Sequence, residues 1–81
     1  MRVCVKLFAV ARELVGRDEL TLAVADGATL ADVRAAVERE FPALARVLPH
    51  AQWAIDAEYA SDNARVMDKS EVAIIPPVSG G

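Results

Sequence analysis

Thr29-Leu30-Ala31-Asp32-Val33-Arg34-Ala35-Ala36-Val37-Glu38-Arg39-Glu40-Phe41 is the one stretch of this chain with sustained helical spacing. Leu30, Val33, Val37 and Phe41 recur at intervals of three and four, and Arg34, Glu38, Arg39 and Glu40 fall elsewhere on the wheel. Thr29 stands where an N-cap belongs, and Asp32 three residues on is a variant of the capping box and a favourable charge in the first turn. Pro42 limits the helix at about Glu40. A single amphipathic helix must bury its apolar stripe against something, and the rest of the chain offers strands.

Upstream, Arg2 to Phe8 alternates: Val3, Val5 and Leu7 on one face, Cys4, Lys6 and Phe8 on the other. A helical turn over Ala11 to Leu14 leads to turn chemistry at Gly16-Arg17-Asp18, and Leu20, Leu22 and Val24 then alternate again, which predicts a hairpin. Asp26-Gly27 breaks that second strand ahead of the helix. Downstream, residues 43–50 are an apolar, proline-punctuated connection without a clear period. Gln52 to Asp56 and the neighbourhood of Glu58 to Ala60 read as two short strands about a tight turn. Asp62-Asn63 and Asp68-Lys69-Ser70 are turns, and Glu71 to Ile75 is the last strand. The expected fold is α+β: a mixed sheet of four or five strands gripping one main helix, with the first and last strands side by side at its centre.

The bulk composition narrows the function. Eighty-one residues make one domain, and a domain this small buries only about 60–65% of its unfolded surface. A self-contained enzyme cleft is hard to frame at that size, which favours a binding module or carrier. A net charge of −3 without any Lys/Arg run argues against nucleic acid and anionic membranes, and for a protein partner. Hydrophobic residues make up 54% of the chain, yet they are dispersed and nowhere approach the roughly 18 uninterrupted ones of a spanning helix. Leu7-Phe8-Ala9-Val10-Ala11 is also shorter than the roughly 7–15 residues of a signal-peptide core. With the single Cys4, this points to a cytoplasmic protein.

Ordinary catalytic constellations are lacking in the sequence. Cys4 lies mid-strand and reads as packing, and no histidine stands at metal-ligand spacing from it. His50 follows Pro49 and reads as a solvated loop residue. The twelve carboxylates and nine basic groups form no acid–base pair, and the glycines form no phosphate loop. No metal and no cofactor bound by the chain itself is expected. What remains is the end, Pro76-Pro77-Val78-Ser79-Gly80-Gly81. Residues 1–76 form the folded unit in this reading, and residues 77–81 an extended tail reaching roughly 17 Å at full stretch. Glycine at both final positions removes the Cβ atoms that would jam a narrow channel. The terminal carboxylate, ionised below neutral pH with a pKa of about 3.5, is a poor electrophile and needs activation, for instance as an acyl-adenylate.

The run Glu71-Val72-Ala73-Ile74-Ile75-Pro76-Pro77-Val78-Ser79-Gly80-Gly81, with Val5-Lys6-Leu7-Phe8-Ala9, Ala11-Arg12-Glu13-Leu14-Val15-Gly16 and the helix opening Thr29-Leu30, resembles the small subunits of molybdopterin synthase, a family of ubiquitin-like sulfur carriers. The resemblance implies a β-grasp fold. It also implies that Gly81 is adenylated by an E1-like activating enzyme using ATP, and then converted to a thiocarboxylate with sulfur from a sulfur-donating enzyme. Such a carrier is itself a non-catalytic subunit of a heterotetrameric synthase. It delivers sulfur inside the large subunit to a cyclic pyranopterin precursor, with Ser79, Gly80 and Gly81 threading that partner's active site. Phe8, Ile75, Pro76, Pro77 and Val78 are the expected docking residues; strand alternation sends Phe8 and Ile75 away from the helix, and the resemblance adds Tyr59. Two departures touch turns: the family often has Gly-Asp where this chain has Lys69-Ser70, and Val-Asn where it has Ile55-Asp56. Three alternatives stay open: a carrier for thiazole or amino-acid synthesis, a protein modifier attached through Gly81, and a purely structural interaction domain.

Overall fold

In the computed structural model, which describes residues 1–77, the elements run β1 (Arg2–Leu7), α1 (Ala9–Val15), β2 (Glu19–Ala23), α2 (Leu30–Glu40), two short 3-10 turns (Pro42–Leu44 and Leu48–His50), β3 (Gln52–Ile55), β4 (Glu58–Tyr59) and β5 (Glu71–Ile75). The strands form one mixed sheet in the order β2-β1-β5-β3-β4. β1 pairs antiparallel with β2 and parallel with β5, and β3 pairs antiparallel with both β5 and β4. The first and last strands are therefore neighbours, and β5 is the central strand.

Alternation decides which face meets the helix. Val3, Val5 and Leu7 from β1, Leu20 and Leu22 from β2, and Val72 and Ile74 from β5 are all buried. They share one cluster with Leu30, Val33, Ala36 and Val37 of α2. Each such side chain contributes about 1.5–3 kcal/mol when withdrawn from water, so this single layer contact dominates the fold's stability. Thr29 caps α2 as expected: its hydroxyl accepts from the Asp32 amide at 3.4 Å, and the Asp32 carboxylate accepts from the Thr29 amide at 2.9 Å. Phe41 closes the helix half-buried, without the full burial of the rest of the stripe.

Several sequence expectations are revised. The turn expected over Ala11 to Leu14 is a seven-residue helix, ended by Gly16 at φ +80°, whose amide donates to the Arg12 carbonyl at 2.7 Å. Only glycine adopts that backbone without a Cβ penalty. The segment 43–50 is two 3-10 turns held down by Leu44 and Leu48, both fully buried. β2, β3 and β4 each end one residue earlier than read, at Ala23, Ile55 and Tyr59. The departures at the turns have physical consequences: Asp56, Ala57 and Lys69 all take positive φ, at 49°, 71° and 68°. Asp56 is tied to β5 by its own amide donating to the Glu71 carbonyl (2.8 Å) and by its carboxylate accepting from the Glu71 amide (2.9 Å). Ser70 is buried, and its hydroxyl accepts from the Met67 amide at 2.9 Å.

Candidate partner-docking site

β5 hands the chain to Pro76, which is buried, and Pro77, which is exposed. Two hollows flank this point. One, of about 650 Å³, lies between α1 and the end of β5 and is lined by Phe8, Ala9, Val10, Glu13, Ile75, Pro76 and Pro77. The other, of about 240 Å³, lies toward β3 and β4, lined by His50, Gln52, Tyr59, Ile75, Pro76 and Pro77. The Ile75-Pro76-Pro77 segment is thus a ridge between an apolar hollow and a more polar, aromatic one.

The expected docking residues fall around this ridge, with two corrections. Phe8 is not a residue of β1, which ends at Leu7; it is the residue preceding α1, and it is 46% exposed. Ile75 is half-buried instead of exposed, at the end of the central strand with Gln52 of β3 as its register neighbour. Phe8 and Tyr59 do not touch one patch from the same side: they line opposite hollows, joined through Ile75. Tyr59 is 72% exposed on the two-residue edge strand β4. Val78, Ser79, Gly80 and Gly81 lie outside the described residues.

The structure adds residues the sequence reading missed. Val10 and Leu14 are exposed on α1, four residues apart and so neighbours on one side of the helix. The i, i+4 spacing was visible, but it carried no weight while the segment was read as a single turn. Ala9 takes φ +50° at the junction of β1 and α1. A non-glycine residue held in the left-handed region at the wall of a hollow is the kind of strain that a functional surface retains. His50 is exposed and lines the second hollow beside the tail root.

Electrostatics offers little chemistry of its own. On the sheet face away from α2, Lys6 reaches Glu19 of β2 (4.0 Å) and Glu71 of β5 (3.6 Å). Cys4 is half-buried on the same face, its Sγ 3.7 Å from a Glu19 carboxylate oxygen. Burial pushes the Cys4 thiol above its ordinary value; the Glu19 and Glu71 carboxylates push it further, opposed by Lys6. A thiol held neutral is a poor nucleophile. Arg12 makes an exposed 3.8 Å pair with Asp18 and does not line either hollow. Among the described residues no group of His, Cys, Asp and Glu could hold a metal ion, and no helix is long and apolar enough to cross a membrane. The arrangement is suited to docking and presentation.

Comparison with known proteins shows the family and the fold. The ThiS family model matches residues 5–81. The chain is 41% identical over 81 residues to a molybdopterin synthase sulfur carrier subunit of Arabidopsis thaliana, covering 100% of this chain and 84% of that one. It is 40% identical over 83 residues to the subunit of the same name from Chlamydomonas reinhardtii, covering 100% of both. The crystal structure of SAMP1 from Haloferax volcanii superposes with a TM-score of 0.92 at 30% identity over 100% of both chains.

Proposed function

From its membership of the ThiS family, to which the chain belongs, we propose that this protein is the sulfur carrier subunit of a molybdopterin synthase. The observation that carries the reading is the full-length likeness to molybdopterin synthase sulfur carrier subunits, 41% and 40% identical over 100% of this chain, within a family match that runs to residue 81. The geometry supports it: the tail root leaves the central strand between two open hollows, where a partner can grip the body and receive the arm at once.

In this reading the Gly81 carboxylate attacks the α-phosphorus of ATP in an E1-like activating enzyme, and pyrophosphate leaves. The resulting acyl-adenylate is a good electrophile, and a hydrosulfide equivalent supplied by a donor enzyme displaces AMP to leave a thiocarboxylate. That sulfur is then delivered in the large synthase subunit to a cyclic pyranopterin precursor, in the cytoplasm. This chain's own part is recognition and reach. Phe8, Ile75 and Tyr59 dock, buried Pro76 fixes where the arm begins, and Val78 to Gly81 enter the partner, where small residues permit close approach.

Intact-mass measurement on chain from its native cell tests the reading: a fraction heavier by one sulfur-for-oxygen exchange is expected. Deleting Gly81 is expected to abolish molybdopterin formation with the fold intact. Full activity of the deleted chain would sink the proposal. A second reading, conjugation to target proteins through Gly81, is favoured by the likeness to SAMP1, a small archaeal modifier protein in name. Isopeptide-linked Gly81 on lysines of other proteins in a tryptic digest would support it.

A further inference from the structure

The larger hollow at the tail root carries a charge that apolar docking leaves unexplained. Every residue lining it is apolar except Glu13. Glu13 is exposed and belongs to the last turn of α1, at the negative end of the helix dipole, where a cation is favoured and a carboxylate is not. Among the described residues its carboxylate makes no ion pair. Its neighbour Arg12 is paired with Asp18 at 3.8 Å and does not line the hollow. Within the described fold this charge has a local cost and no partner.

Filling the hollow fixes what its occupant must bring. At about 650 Å³, walled by Phe8, Val10, Ile75 and Pro77, it falls within the roughly 300–1,000 Å³ of a ligand-sized site, and its walls call for an apolar group. Whatever seats there also takes water from the Glu13 carboxylate, and a carboxylate withdrawn from water without a partner is costly. A neutral donor makes a hydrogen bond and leaves the charge unmet. A cation meets both needs, and the apolar walls, by excluding water, strengthen the pair. The negative end of α1 adds to the preference for positive charge. A second copy of this chain is disfavoured, since it brings a net charge of −3 to an acidic lip. Pro76 and Pro77 line the same hollow, so its occupant sits where the tail begins. We propose that the hollow takes an apolar side chain of the protein that receives the tail, and that Glu13 holds a lysine or arginine flanking that side chain. Naming this protein as the large synthase subunit rests on the carrier reading; the demand for an apolar group beside a cation does not.

Isothermal titration of the full chain against the large synthase subunit, at about 0.05 M and about 0.5 M salt, tests this, because salt screens an ion pair and leaves apolar contact in place. Glu13→Gln is expected to weaken binding by roughly threefold to tenfold at low salt, with a smaller deficit at high salt. Glu13→Lys, which sets like charges together, is expected to weaken it further. Glu38→Gln removes the same charge from an exposed position on α2 that does not line the hollow, and its affinity is expected to stay within about twofold of the parent. Thermal unfolding of each variant alone checks that the fold is kept. Binding by Glu13→Gln within about twofold of the parent at low salt overturns the proposal. An equal loss in Glu38→Gln overturns it too, since that marks the field of the whole chain instead of a contact. In both outcomes the parent still binds, and the carrier reading stands. A parent that sediments as a dimer, returned to monomer by Glu13→Gln, makes a second copy the occupant and overturns the proposal. A parent that binds the large subunit at neither salt concentration defeats the carrier reading and removes this occupant with it.

Discussion

Replacing Tyr59 with alanine separates docking from folding more cleanly than any other single change around the tail root. Tyr59 is 72% exposed and belongs to an edge strand of two residues, so its ring contributes little to the core. A surface substitution of this kind changes stability by about 0.5 kcal/mol or less. The ring nevertheless lines the hollow beside Ile75, Pro76 and Pro77. An aromatic side chain of this size buries about 200 Å² when covered, so a partner closing on Tyr59 has roughly 150 Å² left to remove from water. At about 25 cal/mol per Å² that is a ceiling of ~3.5 kcal/mol. Imperfect packing and side-chain ordering reduce what appears in binding to about 1–3 kcal/mol, a loss in affinity of roughly fivefold to a hundredfold. Phe8→Ala makes the internal contrast. At 46% exposure Phe8 has about half its surface already in the fold, so its loss weakens docking and also lowers the melting temperature. Isothermal titration against the large subunit, with thermal unfolding of each variant alone, measures both quantities. An affinity for Tyr59→Ala within twofold of the parent would refute the assignment of that hollow to the interface.

Lys69→Gly is expected to raise stability by about 0.5–1 kcal/mol, because φ +68° at Lys69 is left-handed backbone and glycine removes the Cβ penalty at some cost in chain entropy. Thermal unfolding should show a rise of about 4–8 °C per kcal/mol for a domain this size, and a fall would place Lys69 elsewhere. Thr29→Ala should cost about 1 kcal/mol by removing the hydroxyl that accepts from Asp32, with the loss visible in chemical denaturation. Cys4 should alkylate with iodoacetamide more slowly than a free thiol at the same pH, and Glu19→Gln should speed it, because burial and then Glu19 raise the thiol. The sign for stability follows: the neutral thiol's contribution is complete below the unfolded-state value and is lost as pH rises through the higher folded value, so the parent should lose more stability in the alkaline range than Cys4→Ala.

The elements legible in the sequence are those whose burial is decided locally. Val3, Val5 and Leu7, and Val72 and Ile74, alternate because each strand has one buried face, and Thr29 with Asp32 marks a helix start through contacts three residues apart. What escaped depends on distant partners. α1 has no side-chain cap at Phe8 and begins with Ala9 at φ +50°, so nothing local announces its start, and only Ala11 to Leu14 reads as helical. The turns around Pro42 and Pro49 exist because Leu44 and Leu48 sink into the core. The docking residues were named individually from alternation and resemblance, but their division into two hollows was not, since that requires knowing that Tyr59 approaches from β4 and Phe8 from the far side of β5.

The composition of the site follows from one topological choice. β1 and β5 run parallel, with Leu7 beside Ile74, so the residue after β1 and the last residue of β5 emerge at the same end of the sheet. That is why Phe8 and the turn into α1 stand next to Ile75 and the tail root, 67 positions away in sequence. Had β5 paired antiparallel with β1, the tail would leave beside Arg2 and the amino terminus, away from Phe8 and α1. Parallel neighbours need a long crossover, and here α2 supplies the layer that covers the sheet on the way. The same helix that buries the core therefore brings the chain back to the centre of the sheet, where β5 is held by β1 on one side and β3 on the other. An arm rooted in a strand bonded along both edges cannot swing at its base, so docking at Phe8, Ile75 and Tyr59 fixes where Pro77 starts. Mutations that loosen the β3 edge, such as a proline at Trp53 or Ala54, should then weaken delivery of the tail more than they weaken docking on the α1 side.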